Sequence, residues 1–278
     1  TVVDFADQIM PNAFDPEMAD FARRKLKDAG IRVITGQRIQ SVTGVDKATG
    51  IVTDGGAIAA DVVVLAIGVR PATDFLKDTG IELFKGTVVV DKEMRTNLPD
   101  IYAAGDCTMV YNRLTGKPQW SAMGSTANIT ARALAKTITG TDTPYGGCLG
   151  TGVVKLLPQL NAGRTGLTEA QAKAEGFDPI TVVCACDDKA HYYPGASSFL
   201  TKLIADRNTR KLLGIQVLGA GAVDKMVDIA VVGLSAGLTI DAFNDLDLAY
   251  APPFSTAIHP FVQACYVLEN KLAGVLES

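Results

Sequence analysis

Apolar residues recur along the chain in two rhythms, one near the helical period and one of short continuous or alternating runs. Val2-Val3 is a short apolar run closed by Asp4, which predicts a buried strand ending in an acid. Asp15-Pro16-Glu17 then opens a helix, with Asp at the N-cap, Pro at the first helical position and an acid toward the positive end of the dipole. Met18, Phe21, Ala22, Leu26 and Ala29 come next at helical spacing, and Gly30 fits the residue just past the end. Ile31 to Ile34 returns as a strand. Short strands are predicted near Ile39 to Val45, Ile51 to Thr53 and Ala57 to Ala59, separated by turn signals at 47–50 and 54–56. The unbroken run Val62 to Ile67 before Gly68 predicts a parallel strand buried on both faces.

Beyond Val69 the pattern predicts strands at Val88 to Asp91 and Ile101 to Ala104, then an Ala-rich helix from Ser125 to Ile138 stopped at Gly140. From Leu149 the texture becomes antiparallel. Val153 to Leu157, Thr181 to Cys186, Leu200 to Asp206 and Leu212 to Leu218 read as strands, the last two joined by a polar turn at 207–211. Thr168 and Gln171 fit a capping box, and further helices are predicted at Ala222 to Ala236 and Pro260 to Leu272.

At 278 residues and 47% hydrophobic, the chain is long and apolar enough to bury the cores of an α/β protein with more than one domain. A net charge of −4, with no basic run interleaved with aromatics, leaves nucleic acid and anionic membrane without an electrostatic attraction. The longest apolar stretch, Val223 to Leu238, carries Asp224, Lys225 and Asp228 and reads as a buried helix rather than a membrane span. Five irregularly spaced cysteines argue against a secreted disulfide scaffold, and no signal peptide is present, so a cytoplasmic location is expected. Thr1 opens directly into a strand interior without an initiator Met, which reads as a truncation.

The chemistry begins with an absence. No G-x-G-x-x-G loop occurs; Gly219-Ala220-Gly221 comes near, but Asp224 stands where the third glycine belongs, so that segment is expected to be a structural turn. The part of a dinucleotide-binding unit lying after its glycine loop is nevertheless present. Asp4, ending a strand, sits where an acid accepts a hydrogen bond from a ribose 2′-hydroxyl, although a strand-terminal Asp is also a common turn former. The segment Thr96-Asn97-Leu98-Pro99-Asp100-Ile101-Tyr102-Ala103-Ala104-Gly105-Asp106 carries the most information. Two small residues and a Gly let backbone approach a ligand, and the Asp carboxylate can accept hydrogen bonds from hydroxyl groups.

This segment resembles the second FAD-binding motif of the pyridine nucleotide–disulfide oxidoreductases. The resemblance extends over essentially the whole chain. It implies an α/β fold with remnants of two Rossmann-like dinucleotide-binding domains followed by an α+β dimerisation domain. The expected boundaries are 1–68 for the NAD(H) half-domain, 69–148 for the FAD half-domain and 149–278 for dimerisation. Val62 to Gly68 with Arg70-Pro71 resembles the exit into the FAD domain, which puts Gly68 among the cofactor-binding positions. Met123-Gly124-Ser125-Thr126 resembles the start of a helix whose positive end faces the flavin pyrimidine edge, so Ser125 and Thr126 join Gly105 and Asp106 on the FAD side. FAD and NADH are the implied cofactors of the parent enzyme, with FAD not retained where the glycine loop is missing.

Ala249-Tyr250-Ala251-Pro252-Pro253-Phe254-Ser255 and His191-Tyr192-Tyr193-Pro194-Gly195-Ala196 look like segments of coenzyme A disulfide reductases and the related NADH oxidases, peroxidases and persulfide reductases. In that group two tyrosines of the dimerisation domain reach the partner subunit's active site. Tyr250 matches one; Tyr192 or Tyr193 matches the other. The implied activity is NADH-driven, FAD-dependent reduction of a disulfide or persulfide such as coenzyme A disulfide by a homodimer. The alternatives are reduction of oxygen species on the same scaffold, or a piece serving dimerisation alone. His259-Pro260 resembles a catalytic His-Pro of glutathione-reductase-like enzymes, but the fifth residue on is Ala264 rather than an orienting Glu, which leaves His259 a weaker candidate beside a simple helix-start role. His191 reads as a loop residue. The cysteines are expected to be structural, and no metal site is expected.

Overall fold

The computed structural model describes residues 1–141 and 143–275. The last three residues of the expected dimerisation segment lie outside the described residues. The chain divides into two compact units, Thr1–Ala66 with Gly152–Ser278, and Ile67–Thr151.

The first unit opens with β1 (Val2–Val3), α1 (Pro16–Asp28) and β2 (Val33–Ile34), β1 and β2 pairing in parallel. Pro16 occupies the first turn of α1 and Gly30 leaves it, as the sequence implies. Asp15 does stand at the N-cap, yet its carboxylate caps no α1 amide. It is drawn instead into a buried ionic cluster. A three-stranded antiparallel meander comes next, β3 (Ile39–Thr43), β4 (Gly50–Thr53) and β5 (Gly56–Ala59), close to expectation.

The run Val62 to Ile67 is not a strand. It carries no regular structure, and Val62, Val64 and Ile67 are each more than three-quarters exposed. An apolar run becomes a strand only where neighbours complete its hydrogen-bond ladder, and no described strand pairs with it.

The second unit contains β6 (Leu83–Phe84), β7 (Thr87–Val89), β8 (Thr108–Tyr111) and β9 (Pro118–Trp120) in one sheet, with α2 (Gly124–Ile138). Its core joins Val88, Val90, Met94 and Val110 to Ala133 of α2, with Tyr145 and Cys148. The expected strand Ile101 to Ala104 is reduced to one bridge, Tyr102 to Arg95. The chain there folds back on itself, Thr96 N–H to Ile101 O at 3.0 Å and Ala103 N–H to Met94 O at 3.2 Å, and the sheet strand comes after Asp106 as β8.

The first unit resumes with β10 (Gly152–Leu157), β11 (Leu160–Gly166), α3 (Glu169–Ala174), β12 (Pro179–Asp187), β13 (Ser198–Asp206), β14 (Leu212–Gly219), α4 (Val223–Ala236), α5 (Ile240–Asn244) and α6 (Pro260–Leu272). Its sheet runs β10-β11-β14-β13-β12, all antiparallel. Side chains alternate across it. One face packs Leu160, Ala162 and Leu218 against Met18, Ala22 and Leu26 of α1. On the other, Gly163 lies under Val223 and Val227 of α4. The capping box of α3 is complete, Thr168 accepting from Gln171 N–H and Gln171 reaching back to the Thr168 amide.

Candidate functional site

In the second unit the residues around Asp106 form a held turn with a free carboxylate. Gly105 takes φ +89°, and a Cβ placed on it would come within 3.9 Å of Ala127, so the turn lies close against the first turns of α2. Gly105 N–H donates to Thr130 Oγ1 at 3.2 Å, and Gly105 O accepts from the Thr108 amide and hydroxyl at 3.0 and 2.7 Å. The Trp120 indole N–H donates to Asp106 O at 2.7 Å. Three anchors thus fix the backbone while the Asp106 side chain stays exposed. The motif ends at Asp106, so its reading missed Trp120 and Thr130. They lie 14 and 25 residues away in sequence, and no local signal links them to the turn.

Helix α2 begins beside this turn. Met123 supplies no side-chain cap, which leaves the helix's first amides without a side-chain acceptor from the N-cap, at the positive end of its dipole. Ser125 is exposed at that end. Thr126 is buried, and its hydroxyl shares a 2.8 Å hydrogen bond with Ser121 Oγ, so it secures the helix start rather than offering its hydroxyl outward. Gly68 stands clear of other atoms: a Cβ there would meet nothing within 4 Å. A glycine turn, an exposed carboxylate and a helix start without a side-chain cap offer hydrogen-bond acceptors to hydroxyl groups and a positive dipole end to negative charge.

In the first unit, Asp4 comes directly after β1, its N–H bonded to Ile34 O at 2.9 Å. Its Oδ1 accepts the Ala6 amide at 2.9 Å, so one carboxylate oxygen closes the turn. Two loops meet at one end of the five-stranded sheet. Asp188 and Lys189 from the loop carrying Tyr192 and Tyr193 line a cavity of about 220 Å³ together with Pro253, Phe254 and His259 from the loop carrying Tyr250. Tyr192, Tyr193 and Tyr250 are 77%, 37% and 51% exposed, so all three phenols have access to solvent or a partner.

His259 is the N-cap of α6, its Nδ1 accepting the Phe261 amide at 3.2 Å. Burial, with the Lys225 charge behind it, pushes its pKa down to about 4, so the ring is neutral at pH 7. His191 is exposed beside Asp187, Nδ1 to Oδ2 at 3.3 Å. The cysteines are free. Burial raises the thiols of Cys148 and Cys265. Cys184 donates toward Cys186, which raises the first thiol and lowers the second. Among the described residues no group of three or more His, Cys, Asp or Glu is placed to hold a metal, and no helix is long and apolar enough to cross a membrane.

Residues 1–131 match the family model described as pyridine nucleotide-disulphide oxidoreductase, and residues 156–261 match the dimerisation domain of the same family. The chain belongs to the pyridine nucleotide-disulphide oxidoreductases. This family is FAD- and NAD(P)H-dependent. Among its members, a CoA-dependent NAD(P)H sulfur oxidoreductase of Pyrococcus furiosus is 31% identical over 97% of this chain and 60% of its own length. An NADH oxidase of Methanocaldococcus jannaschii is 29% identical over 98% of this chain and 60% of its own. The solved structure of an NAD-dependent persulfide reductase from A. fulgidus superposes with a TM-score of 0.95 at 35% identity, covering all of this chain and 51% of that one. The chain therefore spans about half to three-fifths of the length of these relatives.

Proposed function

We propose that the protein carrying this chain is an FAD-dependent NADH oxidoreductase that reduces a disulfide or persulfide, with coenzyme A disulfide as the model substrate, acting as a homodimer in the cytoplasm. The observation that carries this reading is the Gly105–Asp106 turn, held by Trp120 and Thr130 beside the uncapped start of α2. FAD, when bound, supplies a two-electron relay between NADH and the sulfur acceptor. Asp106 accepts hydrogen bonds from ribityl hydroxyls. The α2 start, at Ser125 and Thr126, offsets negative charge on the pyrimidine edge. Gly68 belongs to the link between the nucleotide and flavin portions. Asp4 accepts from the NADH ribose 2′-hydroxyl at the position that carries the phosphate in NADPH, with its remaining oxygen. Five free cysteines fit a reducing compartment.

The thiol end falls to Tyr250 with Tyr192 or Tyr193. A disulfide accepting two electrons releases thiolates, and a phenol within reach can hydrogen-bond or protonate one. Both tyrosine loops contribute residues to one cavity, which none of the three tyrosines lines; the reading rests on the exposure of their phenols. A second reading, reduction of oxygen or peroxide, is favoured by the likeness to the NADH oxidase.

Replacing Tyr250 with Phe in the full-length enzyme tests the first reading. Turnover of coenzyme A disulfide should fall by roughly 10²–10⁴-fold, while NADH-driven ferricyanide reduction is retained. Unchanged disulfide turnover would remove the phenol from the chemistry and favour the oxidase reading.

A further inference from the structure

Lys202 is one of the most buried side chains among the described residues, 1% exposed in the middle of β13, in a stretch whose other polar residue between Phe199 and Ala205 is Thr201. Its Nζ is 3.1 Å from Asp15 Oδ2 and 2.8 Å from Glu169 Oε2, and it also bonds Glu17 Oε1. Asp15, 3% exposed, accepts from Gln216 Nε2 at 2.6 Å and from the Glu169 amide at 3.0 Å, and its own amide donates to Gln216 Oε1 at 2.8 Å. In the sheet Lys202 pairs directly with Gln216, and Gln216 with Arg164. A polar row therefore crosses three adjacent strands on the face that receives the start of α1. Lys173, 2.6 Å from Glu169, and the partly buried Arg164, which senses the Asp15 charge, balance the three carboxylates.

Such a cluster is a poor device for stability alone, because desolvating the charges offsets much of their attraction. Its use is to fix one arrangement. It holds the first residues of α1, and Asp15 is tied to Asp4 by a short loop that is itself closed. Gln8 Nε2 donates to Phe14 O at 2.9 Å, Gly36 N–H to Ala6 O at 2.8 Å, and Ile9 and Phe14 are sunk in the α1 core. A shift at Asp15 has little slack to absorb it before Asp4.

We propose that Lys202 is a positioning residue for the nicotinamide nucleotide: from the dimerisation sheet it locks the Asp15 end of the loop whose other end presents Asp4. This rests on the reading of Asp4 as the ribose acceptor. Lys202 touches neither nucleotide nor substrate, so its effect is on nucleotide affinity.

The test is steady-state NADH oxidation by the full-length enzyme with ferricyanide as acceptor, which leaves the thiol end out. Lys202→Met should raise the KM for NADH by roughly tenfold with kcat within about twofold, since small misplacements of binding groups are costly. Leu268→Ala, in the buried face of α6, is the control for general destabilisation: it should lower the melting temperature and leave that KM alone. A KM for Lys202→Met within about twofold of the parent, or an equal rise in Leu268→Ala, overturns the proposal. Should Lys202→Met fail to fold, Glu17→Gln removes one half-exposed carboxylate from the same cluster, and an unchanged KM there overturns it while a rise of about threefold supports it. If the unsubstituted enzyme oxidises no NADH, the flavoprotein reading falls by itself. The lock is then judged by hydrogen exchange of the amides in residues 5–14, which should quicken about tenfold in the variant that folds and, if equal to the parent, overturns it.

Discussion

His259 shows how surroundings reassign a residue. The His-Pro pair raised two readings, a catalytic base and a helix start, and the ring is found capping α6 through Nδ1 with 5% of its surface exposed. Its pKa falls from an ordinary 6.5 to about 4 in the fold. Between those values the unfolded chain binds a proton that the folded chain rejects. The contribution to stability is therefore complete above about pH 6.5, is lost as pH falls through the window, and is exhausted below about pH 4. His259→Asn keeps a capping acceptor and should flatten that slope in denaturant midpoints measured from pH 7 to 4. In the parent, an imidazole resonance titrating near 6.5 instead of near 4 would show that the ring reaches solvent. Asp15 is the companion case. Its place before Pro16 was legible, but its partners Lys202 and Gln216 lie 187 and 201 residues on, beyond any local pattern.

At the scale of elements, those governed by local chemistry matched the sequence pattern. The Thr168 box, the Pro at the start of α6, and the glycines beyond α1 and α2 act within one or two turns of where they stand. Among elements needing a partner the match was uneven: the antiparallel strands after Leu149 were legible in alternation, and others were not. Val62 to Ile67 has the composition of a buried strand and no described strand beside it, whereas β11, with Asn161, Gly163, Arg164 and Thr165, is a strand because β10 and β14 flank it. Packing also overrides propensity at Gly233 in α4, where a Cβ would lie 2.0 Å from Phe243 Cζ. Alanine there gains about 1 kcal/mol in helix propensity but overpacks the α4–α5 contact at about 1–3 kcal/mol. Gly233→Ala is expected to unfold at lower denaturant than the parent; a more stable variant would mean that the Phe243 ring moves aside at little cost.

For the whole molecule, the nucleotide preference depends on what is near Asp4. Its carboxylate suits a free ribose 2′-hydroxyl and repels a 2′-phosphate, and no Arg or Lys occurs between Asp4 and Arg23 in sequence to offset it. The full-length enzyme is expected to show a higher kcat/KM with NADH than with NADPH, and equal or better values with NADPH would remove Asp4 from that role. The family is legible in the eleven residues ending at Asp106, and most of the helices and the antiparallel texture after Leu149 are legible in the spacing of apolar residues. Each of these is written in short-range spacing, where one turn or one alternation carries the signal. Tertiary structure alone decided that Trp120 and Thr130 hold the Asp106 turn, that Thr126 spends its hydroxyl on Ser121, and that the loops of Tyr192, Tyr193 and Tyr250 share a cavity. It also decided that a lysine in an apolar strand meets three carboxylates. Those contacts join residues far apart along the chain, and a hydrogen bond or ion pair leaves no trace in sequence until packing brings its two halves within about 3 Å.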